Sequence, residues 1–517
     1  MLRKLNLKFL IYGCWLFCSI SPILTLSGFA DESSKINLTQ ELKKGNFLIG
    51  LKQYLGARSD NFPKKNNITF TTKNDFLKLH STNGVKHKSK KINIVLKKKN
   101  LITPFTVERL VFGPFASYES AQKQAEKLKE KGYQALVAFP NNWEVWIPVG
   151  KNLPDKKLNY RLFKKSYKSK IIPFLVTEYS QHELQGPIYI SSSQEISIND
   201  INFGKKFYLA KDSYGTWTLI QKIKFDDYLK GVLPHEIGSN SPLEALKAQA
   251  VIARTWALYN SDRFKIDQYH LCITTQCQVY KPPLIEYKNV HKAIEDTSNF
   301  IITYKKKPIN SFYHGSNGGI SASASESWQI KDYRYLNSMI DGSNALKKAF
   351  RLPIKSGDEL NKFLEFADEK VYGRKHSLFR WEKIVSNETI QNNLLNNQLI
   401  KEKSDLVDLN IIDRGFSGRV IKLEIKLKNL KKPIVLVKDD IRRILSFLPS
   451  NLFTINKLND NLWLFKGGGF GHGVGLSQSG AIEMAKLGFS YEQILNHYYR
   501  NAKLKKFEIL SQWKLSN

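Results

Sequence analysis

The chain has 517 residues, of which 42% are hydrophobic and 24% charged, a composition ordinary for a globular protein of two or three domains. Its formal net charge of +34 is not ordinary, and the lysine runs that create it are spread along the whole chain. This spread, with no RNP, zinc-finger or helix-turn-helix pattern, excludes nucleic acid as an expected partner. Two interpretations of the charge stay open: solvated lysine-rich faces, or attraction to an acidic polymer or membrane surface.

Residues 1–30 have the layout of a secretory signal peptide. Basic residues precede an apolar run over 9–26, and small residues then lead to Ala30. The sequence therefore predicts cleavage near Ala30, export to the periplasm or cell wall, and no transmembrane segment in the mature chain. The alternative is an uncleaved anchor, because the apolar run approaches the length of a membrane span; Pro22 favours cleavage.

Residues 31–45 are polar and predict a tether, and 46–100 predict the first strands of the main domain. Three further strands and a helix are predicted next, over 108–115, Tyr118–Lys131, 135–139 and 143–150, with Ser117 as the helix N-cap and Gly132 as its stop. This unit, assigned to 101–160, is similar to half of a SPOR-type glycan-binding domain. A generic α+β insertion is the alternative.

The largest predicted domain covers residues 185–510. Alternation of apolar and polar residues predicts strands over 187–193, 195–198, 207–210 and 217–225, and again over 420–427 and 451–455. Residues 344–405 are polar and predict helices and turns. The fold class is therefore α+β, strand-rich, with helical motifs and a small α+β unit inserted near the N-terminus.

The helix that follows Pro242 carries a strong start signal. Ser241 is predicted as the N-cap, Pro242 as the first helical residue, and Glu244 as the partner that completes a capping box. Glu244 is therefore interpreted as a cap and not as a catalytic group.

Three motifs carry the chemistry of the predicted domain. They are GVLPHEIGSNSPLEALKAQAVIARTWAL (231–258), SFYHGSNGGISASASESW (311–328) and GGGFGHGVGLSQSGA (467–481). The residues of these motifs and their order along the chain resemble the SpoIID/LytB family of peptidoglycan-acting proteins. The resemblance implies a lytic transglycosylase that cleaves N-acetylmuramic acid–N-acetylglucosamine strands stripped of stem peptides, forms a 1,6-anhydro product, and requires no cofactor.

Glu236 falls on the position of the family's proposed catalytic glutamate. The apolar neighbours Val232, Leu233 and Ile237 predict a raised pKa through desolvation, as a general acid requires. Substrate-binding roles are predicted for residues that offer amides, main-chain donors, aromatic faces or an imidazole: Gln278, Tyr280, Tyr313, Ser316, Gly318, Gly319, Trp328, Tyr335, His472 and Gln478. Core packing for each aromatic residue, and a turn-stabilising role for His472, are the alternatives.

The mature chain keeps two cysteines, Cys272 and Cys277. In an oxidising compartment this pair predicts a small disulfide loop. With His270 it also offers three ligands for a structural zinc ion, and free thiols are the third alternative. The disulfide is preferred, because Gln276 stands where relatives often carry a histidine.

Two other functions compete with the enzyme hypothesis. The first is a non-catalytic wall-binding protein that stimulates a partner amidase, as LytB-type relatives are described. Glu236 separates it from the enzyme, since an enhancer needs no acid at that position. The second is a general polyanion-binding envelope protein, which accounts for the charge but not for the glycine and glutamate motifs.

Overall fold

The computed structural model describes residues 35–56, 66–150, 154–155, 158–283, 286–366 and 371–507. The predicted signal peptide, residues 1–30, lies outside the described residues. The fold is α+β and strand-rich, which confirms the predicted class. Among the described residues, no helix is both long enough and apolar enough to cross a membrane.

The strands of the N-terminal half build two large sheets. They are β1 (Asn46–Leu55), β2 (Asn67–Thr71), β3 (Leu77–His80), β4 (Lys86–Ser89), β5 (Lys91–Phe115), β6 (Leu136–Ala138), β7 (Trp143–Pro148), β8 (Arg161–Val176), β9 (Gln181–Glu183), β10 (Ile188–Ser191), β11 (Ser197–Ile198), β12 (Ile201–Asn202), β13 (Lys206–Lys211), β14 (Trp217–Lys224) and β15 (Leu271–Cys272).

The later strands form small sheets of two or three. They are β16 (Phe300–Tyr304), β17 (Lys307–Pro308), β18 (Tyr313–His314), β19 (Ile320–Ser321), β20 (Met339–Ile340), β21 (Trp381–Ser386), β22 (Leu406–Arg414), β23 (Val420–Leu427), β24 (Ile434–Val437), β25 (Phe453–Lys457), β26 (Leu462–Gly467), β27 (Leu476–Ser477) and β28 (Lys503–Lys506).

The helices pack against these sheets. They are α1 (Leu38–Lys43), α2 (Tyr118–Glu130), α3 (Phe225–Leu233), α4 (Leu243–Tyr259), α5 (Lys288–Asp296), α6 (Ala324–Ser327), α7 (Asn344–Ala349), α8 (Gly357–Glu365), α9 (Asn387–Asn396), α10 (Asp439–Ile444), α11 (Gln478–Lys486) and α12 (Tyr491–Tyr498).

The first sheet has seven strands in the order β15-β1-β14-β13-β10-β3-β4. Its apolar face packs with α3 and α4 in the largest core cluster of the chain. Strand β14 leads directly into α3, so the centre of this sheet fixes where α3 begins. The turn that follows the other end of α3 carries Glu236.

The second sheet runs across residue 101, where a domain boundary was predicted. Strand β5 is continuous from 91 to 115; its first half pairs with β2 and its second half with β7, and β8 runs alongside both halves. The predicted helix and strands of the small unit, α2, β6 and β7, are present. The unit is therefore an extension of a sheet shared with the main domain, and its predicted start falls inside a strand.

The predicted tether is also partly structured. Asn37 caps α1 by accepting the N–H of Gln40, and Leu38 is buried. Glu41 forms a salt bridge of 2.7 Å with Lys222 on β14. A polar segment thus folds because its few apolar and acidic side chains find partners that lie far away in sequence.

The predicted start of α4 differs in its cap. Pro242 is the N-cap, and Ser241 instead donates its hydroxyl to the carbonyl of Ile237 at 2.7 Å. Glu244 accepts the N–H of Tyr491 at 2.8 Å and pairs with Lys247. The capping-box prediction was wrong, because contacts with the π-helical turn before α4 and with α12 take both side chains.

The C-terminal half adds two three-stranded sheets, β21-β26-β25 and β22-β23-β24, which share one core cluster. The predicted strands over 420–427 and 451–455 correspond to β23 and β25. Strand β21 was missed inside the polar segment 344–405, since its burial pattern alternates only weakly. Strand β26 leads directly into the glycine-rich segment, and helix α11, which follows that segment, contacts α4.

Candidate active site

Glu236 lies on a π-helical turn, Pro234–Gly238, that extends α3. A proline in a helix removes a donor and crowds the preceding turn, and the helix widens at this point. Gly238 ends the turn with a positive φ of 88°. This helical turn holds the carboxylate at a defined place.

The Glu236 carboxylate is partly buried and hydrogen bonded. Its Oε1 accepts the main-chain N–H of Val279 at 2.6 Å, and the side chains of Tyr313 and Gln478 also donate to it. Burial raises the pKa of Glu236 to about 7, while these three donors act in the opposite direction. At neutral pH the group is therefore present in both the protonated and the ionised form, as a general acid and base requires.

Three residues predicted to bind substrate lie near this carboxylate, two in hydrogen bonds with it and Gln278 through Tyr313. Tyr313 accepts a hydrogen bond of 3.1 Å from Gln278 and donates to Glu236. Gln278 accepts from the hydroxyl of Tyr228, and Gln478 also donates to Gln249 at 3.4 Å. We call Glu236, Gln278, Tyr313 and Gln478 the acid cluster. Its amides and hydroxyl set the orientation and pKa of one carboxylate.

Two cavities meet at Glu236. The larger has a volume of about 780 Å³, and the smaller has about 470 Å³. Glu236, Gly315 and Gln478 line both of them. The carboxylate thus stands at the junction of two open grooves, where a polymer can extend on both sides of the acid.

His472 and Trp328 line the larger cavity, which we call the main cleft. His472 Nδ1 accepts the N–H of Val474 at 3.0 Å, and its ring lies 4.8 Å from that of Trp328. Burial lowers the pKa of His472 to about 3, so the imidazole is neutral at physiological pH. Trp328 is largely buried against Phe312, so it contributes to the cleft wall through a small part of its surface.

Ser316, Gly318 and Gly319 do not present free main-chain donors. The N–H of Ser316 bonds to the carbonyl of Phe470, and the N–H of Gly319 bonds to Asn317 Oδ1 at 2.8 Å. The segment is buried against the glycine-rich loop. Direct contact between these groups and a sugar was predicted, and the structure places the groups inside the protein because two chain segments cross here.

The glycine-rich loop needs its glycines for this crossing. Residues 469, 471, 473 and 475 all have positive φ, between 74° and 108°. A Cβ at Gly473 would overlap the guanidinium of buried Arg419, which itself donates to Asn317 O at 3.0 Å. Gly471 also lines the main cleft. We call Ser316, Gly318, Gly319 and residues 469–475 the glycine interlock.

Two predicted aromatic platforms belong to the core. Tyr280 is buried, stacks on Tyr228 at 5.5 Å between ring centres, and donates to Gln221. Tyr335 is buried beside Tyr304 and accepts the N–H of Asn310. Their hydroxyls are occupied inside the protein, so the packing alternative holds for both.

Cys272 and Cys277 form a disulfide. His270 Nδ1 accepts the N–H of Leu48 at 2.9 Å, and its ring stacks on Phe47. The disulfide occupies both sulfur atoms, so they are not thiolate ligands, and no metal-binding cluster of three acidic, histidine or cysteine side chains occurs in the described ranges. The disulfide loop borders the main cleft, and the residues directly after it supply Gln278 and the N–H of Val279.

The main cleft also contains charged residues that the sequence did not single out. Asp439 on α10 accepts hydroxyl hydrogen bonds from Ser117 at 2.6 Å and Ser120 at 3.0 Å. Arg263 pairs with Glu119 at 2.6 Å. These contacts join the N-terminus of α2 to the cleft across more than 140 positions, so no local pattern could reveal them.

Two family models match the chain. The model described as Stage II sporulation protein, SpoIID, covers residues 213–304, and a domain of unknown function, DUF8618, covers 322–475. The first match contains Glu236 and the disulfide, and the second contains most of the glycine interlock. Neither match includes residues 101–160, so the SPOR-like interpretation of that unit stays a prediction.

Individual relatives are distant. An uncharacterized protein of Brachyspira hyodysenteriae is 29% identical over 55% of this chain and 67% of its own length. The amidase enhancer of Bacillus subtilis is 28% identical over 54% of this chain but only 40% of its own length. Stage II sporulation protein D of Bacillus subtilis is 24% identical over 55% of this chain and 75% of its own length. The chain therefore carries a SpoIID family domain and is a distant homologue of Stage II sporulation protein D and the amidase enhancer.

Proposed function

We propose that this protein is an exported lytic transglycosylase that cleaves the glycan strands of peptidoglycan. The observation that carries the proposal is the position of Glu236 at the junction of two grooves, with its pKa raised to about 7 by burial. A group that titrates near neutral pH can give and take a proton in one catalytic cycle. The grooves on both sides suit a long strand cut at an internal bond.

The reaction needs one carboxylate. Protonated Glu236 gives its proton to the glycosidic oxygen as the bond from that oxygen to C1 of the muramoyl residue breaks. The 6-hydroxyl oxygen of the same residue bonds to C1, and its proton passes to the Glu236 carboxylate. The products are a 1,6-anhydro end and a free 4-hydroxyl, and no water is consumed.

The other residues of the acid cluster hold this carboxylate in place. Hydrogen bonds from Val279, Tyr313 and Gln478 fix its position and stabilise its ionised form, which accepts the second proton. Burial favours the protonated form, which starts the reaction. The balance between these effects keeps the pKa of Glu236 near neutral pH, and the reaction uses one carboxylate of the protein and one hydroxyl of the substrate.

A second candidate function comes from the relative named amidase enhancer, which is 28% identical. In that role the grooves hold glycan while a partner amidase removes stem peptides. Glu236 would then serve no chemical purpose, and stimulation of an amidase would survive its replacement. The two functions therefore make opposite predictions for a Glu236→Gln protein.

The test is to incubate the mature protein with intact and with amidase-treated sacculi and to identify the released fragments by mass spectrometry. The proposal predicts 1,6-anhydro ends, with more release from the peptide-stripped material. Fragments with ordinary reducing ends would show that water is the nucleophile, and no release from either material would contradict the enzyme. Export is tested in parallel by the N-terminal sequence of the protein recovered from the cell envelope, expected to begin after Ala30.

A further inference from the structure

We infer that Arg442 forms a carboxylate-binding subsite in the main cleft, which recognises the free lactyl group of muramic acid in strands without stem peptides. This inference rests on the proposed function, because it concerns the same cleft. In this inference Arg442 selects the substrate, whereas Glu236 transfers the proton. Arg442 lies on α10, outside the motifs from which the site was first predicted.

Arg442 is a cation without a partner. It lines the main cleft, its Nε is buried, and within the described part of the chain its side chain forms no hydrogen bond or salt bridge. Its neighbour Arg443 binds Asp440 and Asn397, and Arg263 binds Glu119. A guanidinium remains charged in proteins, and its fork of donors matches a carboxylate.

The surroundings do not neutralise this charge. Arg442 acts electrostatically on His472 and His314, and burial lowers the pKa of both, so that they are neutral at physiological pH. Asp439, one turn earlier on α10, forms no salt bridge with Arg442 within the described residues, because its carboxylate accepts hydrogen bonds from the hydroxyls of Ser117 and Ser120 instead. Since a buried cation without a partner is costly, the site favours an anionic ligand.

The subsite lies on the wall that also carries the acid cluster. His472 is hydrogen bonded to the backbone of Tyr313, whose side chain donates to Glu236. Arg442 lines the same cleft as His472 and acts electrostatically on it. In a muramoyl residue the lactyl ether is on O3 of the same ring whose C1 reacts. A ring placed against Glu236 can therefore direct its lactyl group along this wall.

The chemistry of the lactyl group separates two substrates. When the stem peptide is present, the lactyl carbonyl is part of a neutral amide; after an amidase has acted, it is a free carboxylate. A charge-assisted, bidentate hydrogen bond to arginine is available only to the carboxylate. Arg442 therefore makes binding depend on previous removal of the peptide.

The experiment measures binding, so that it does not depend on turnover. Glu236→Gln protein is titrated at pH 7 with peptide-stripped glycan strands and with the same strands after conversion of the lactyl carboxylates to methylamides. We expect the carboxylate strands to bind about 10- to 100-fold more tightly. When Arg442→Gln is added to the Glu236→Gln protein, this ratio of affinities falls to about one. Arg442→Lys in the same background keeps part of the preference.

Arg443→Gln is the matched control, because it removes the same charge from a guanidinium that already has partners. Its carboxylate preference should stay within about 3-fold of the parent protein. Equal weakening of both ligands by Arg442→Gln, no weakening, or no measurable binding by folded parent protein would overturn the inference. Absence of anhydro products from wild-type protein would refute the proposed function while leaving this binding ratio measurable.

Discussion

The acid cluster and the glycine interlock are adjacent, and both draw on the sequence motifs, yet they use polar groups in different ways. In the acid cluster, hydrogen bonds converge on Glu236, which remains open to two grooves. In the interlock, the donors of Ser316 and Gly319 are occupied within the protein, and the space is filled. Motif residues therefore divide into those that tune a reactive group and those that allow two segments of the chain to pack closely against each other.

The difference predicts that damage to the interlock affects folding, whereas damage to the acid cluster affects chemistry in a folded protein. Gly473→Ala should be the most damaging change to stability. It combines strain at a φ of 81° with overlap on buried Arg419, and we expect a loss of about 3 kcal/mol or more. Urea denaturation of the purified protein measures it.

Gly488→Ala is its control. Gly488 has a similar φ of 87°, but no atom lies within 4 Å of the position of its Cβ. It should lose only the strain energy, about 1 kcal/mol. Equal losses in the two variants would show that the space beside Arg419 is not what requires glycine at 473.

The disulfide supports the acid cluster, because the segment after Cys277 supplies Gln278 and the N–H of Val279. Cys272→Ser with Cys277→Ser should lower the free energy of unfolding by about 2 kcal/mol, as expected for a short closed loop. Glycan cleavage should fall as well, since the Val279 donor loses its anchor. Reductant should lower the stability of the wild-type protein by a similar amount and leave that of the double variant unchanged. A fully active double variant would show that the active site does not depend on the disulfide.

Tyr313→Phe should produce the smallest effect and the most specific one. Glu236 must be protonated to start the reaction, so the rate should fall as pH rises through about 7. Tyr313 donates to the ionised carboxylate, and its removal therefore raises the pKa of Glu236 and moves this decline to higher pH. The lost hydrogen bond should also reduce the rate by about 5-fold.

The matched control is Tyr335→Phe, which removes a hydroxyl from the core outside the acid cluster. Its pH profile should decline at the wild-type pH. A shift of equal size in both variants would indicate a general change in the fold, and no shift in Tyr313→Phe would remove that hydroxyl from the control of Glu236.

The sequence predicted the regular elements well where periodicity was strong. The helix after Ser117 and strands β13, β14 and β23 lie where alternation or helical spacing placed them. It predicted strands over 46–100 without locating β2 to β4, and its boundary at 101 falls inside β5, because these features depend on pairing between distant segments. The Lys-rich stretch before β5 has few apolar residues, and only its partners in the sheet make it a strand region.

For the site, the motifs identified residues that the structure brings close to Glu236 and others that it buries. Gln278, Tyr313 and Gln478 do meet near Glu236: Tyr313 and Gln478 donate to its carboxylate, and Gln278 donates to Tyr313. Local sequence could not show that Ser316 and Gly318 are buried under a second glycine-rich segment, nor that α10 faces the cleft. Those contacts depend on how distant segments of the chain pack against each other, which no local residue pattern specifies.

The most direct test of the account is Glu236→Gln, which preserves the shape of the side chain and removes its titratable proton. Release of 1,6-anhydro fragments from amidase-treated sacculi should fall at least about 100-fold, while circular dichroism and the unfolding midpoint show a folded protein. The account predicts this loss at every pH between 5 and 8. Release close to that of the wild-type protein from a folded Gln variant would contradict it.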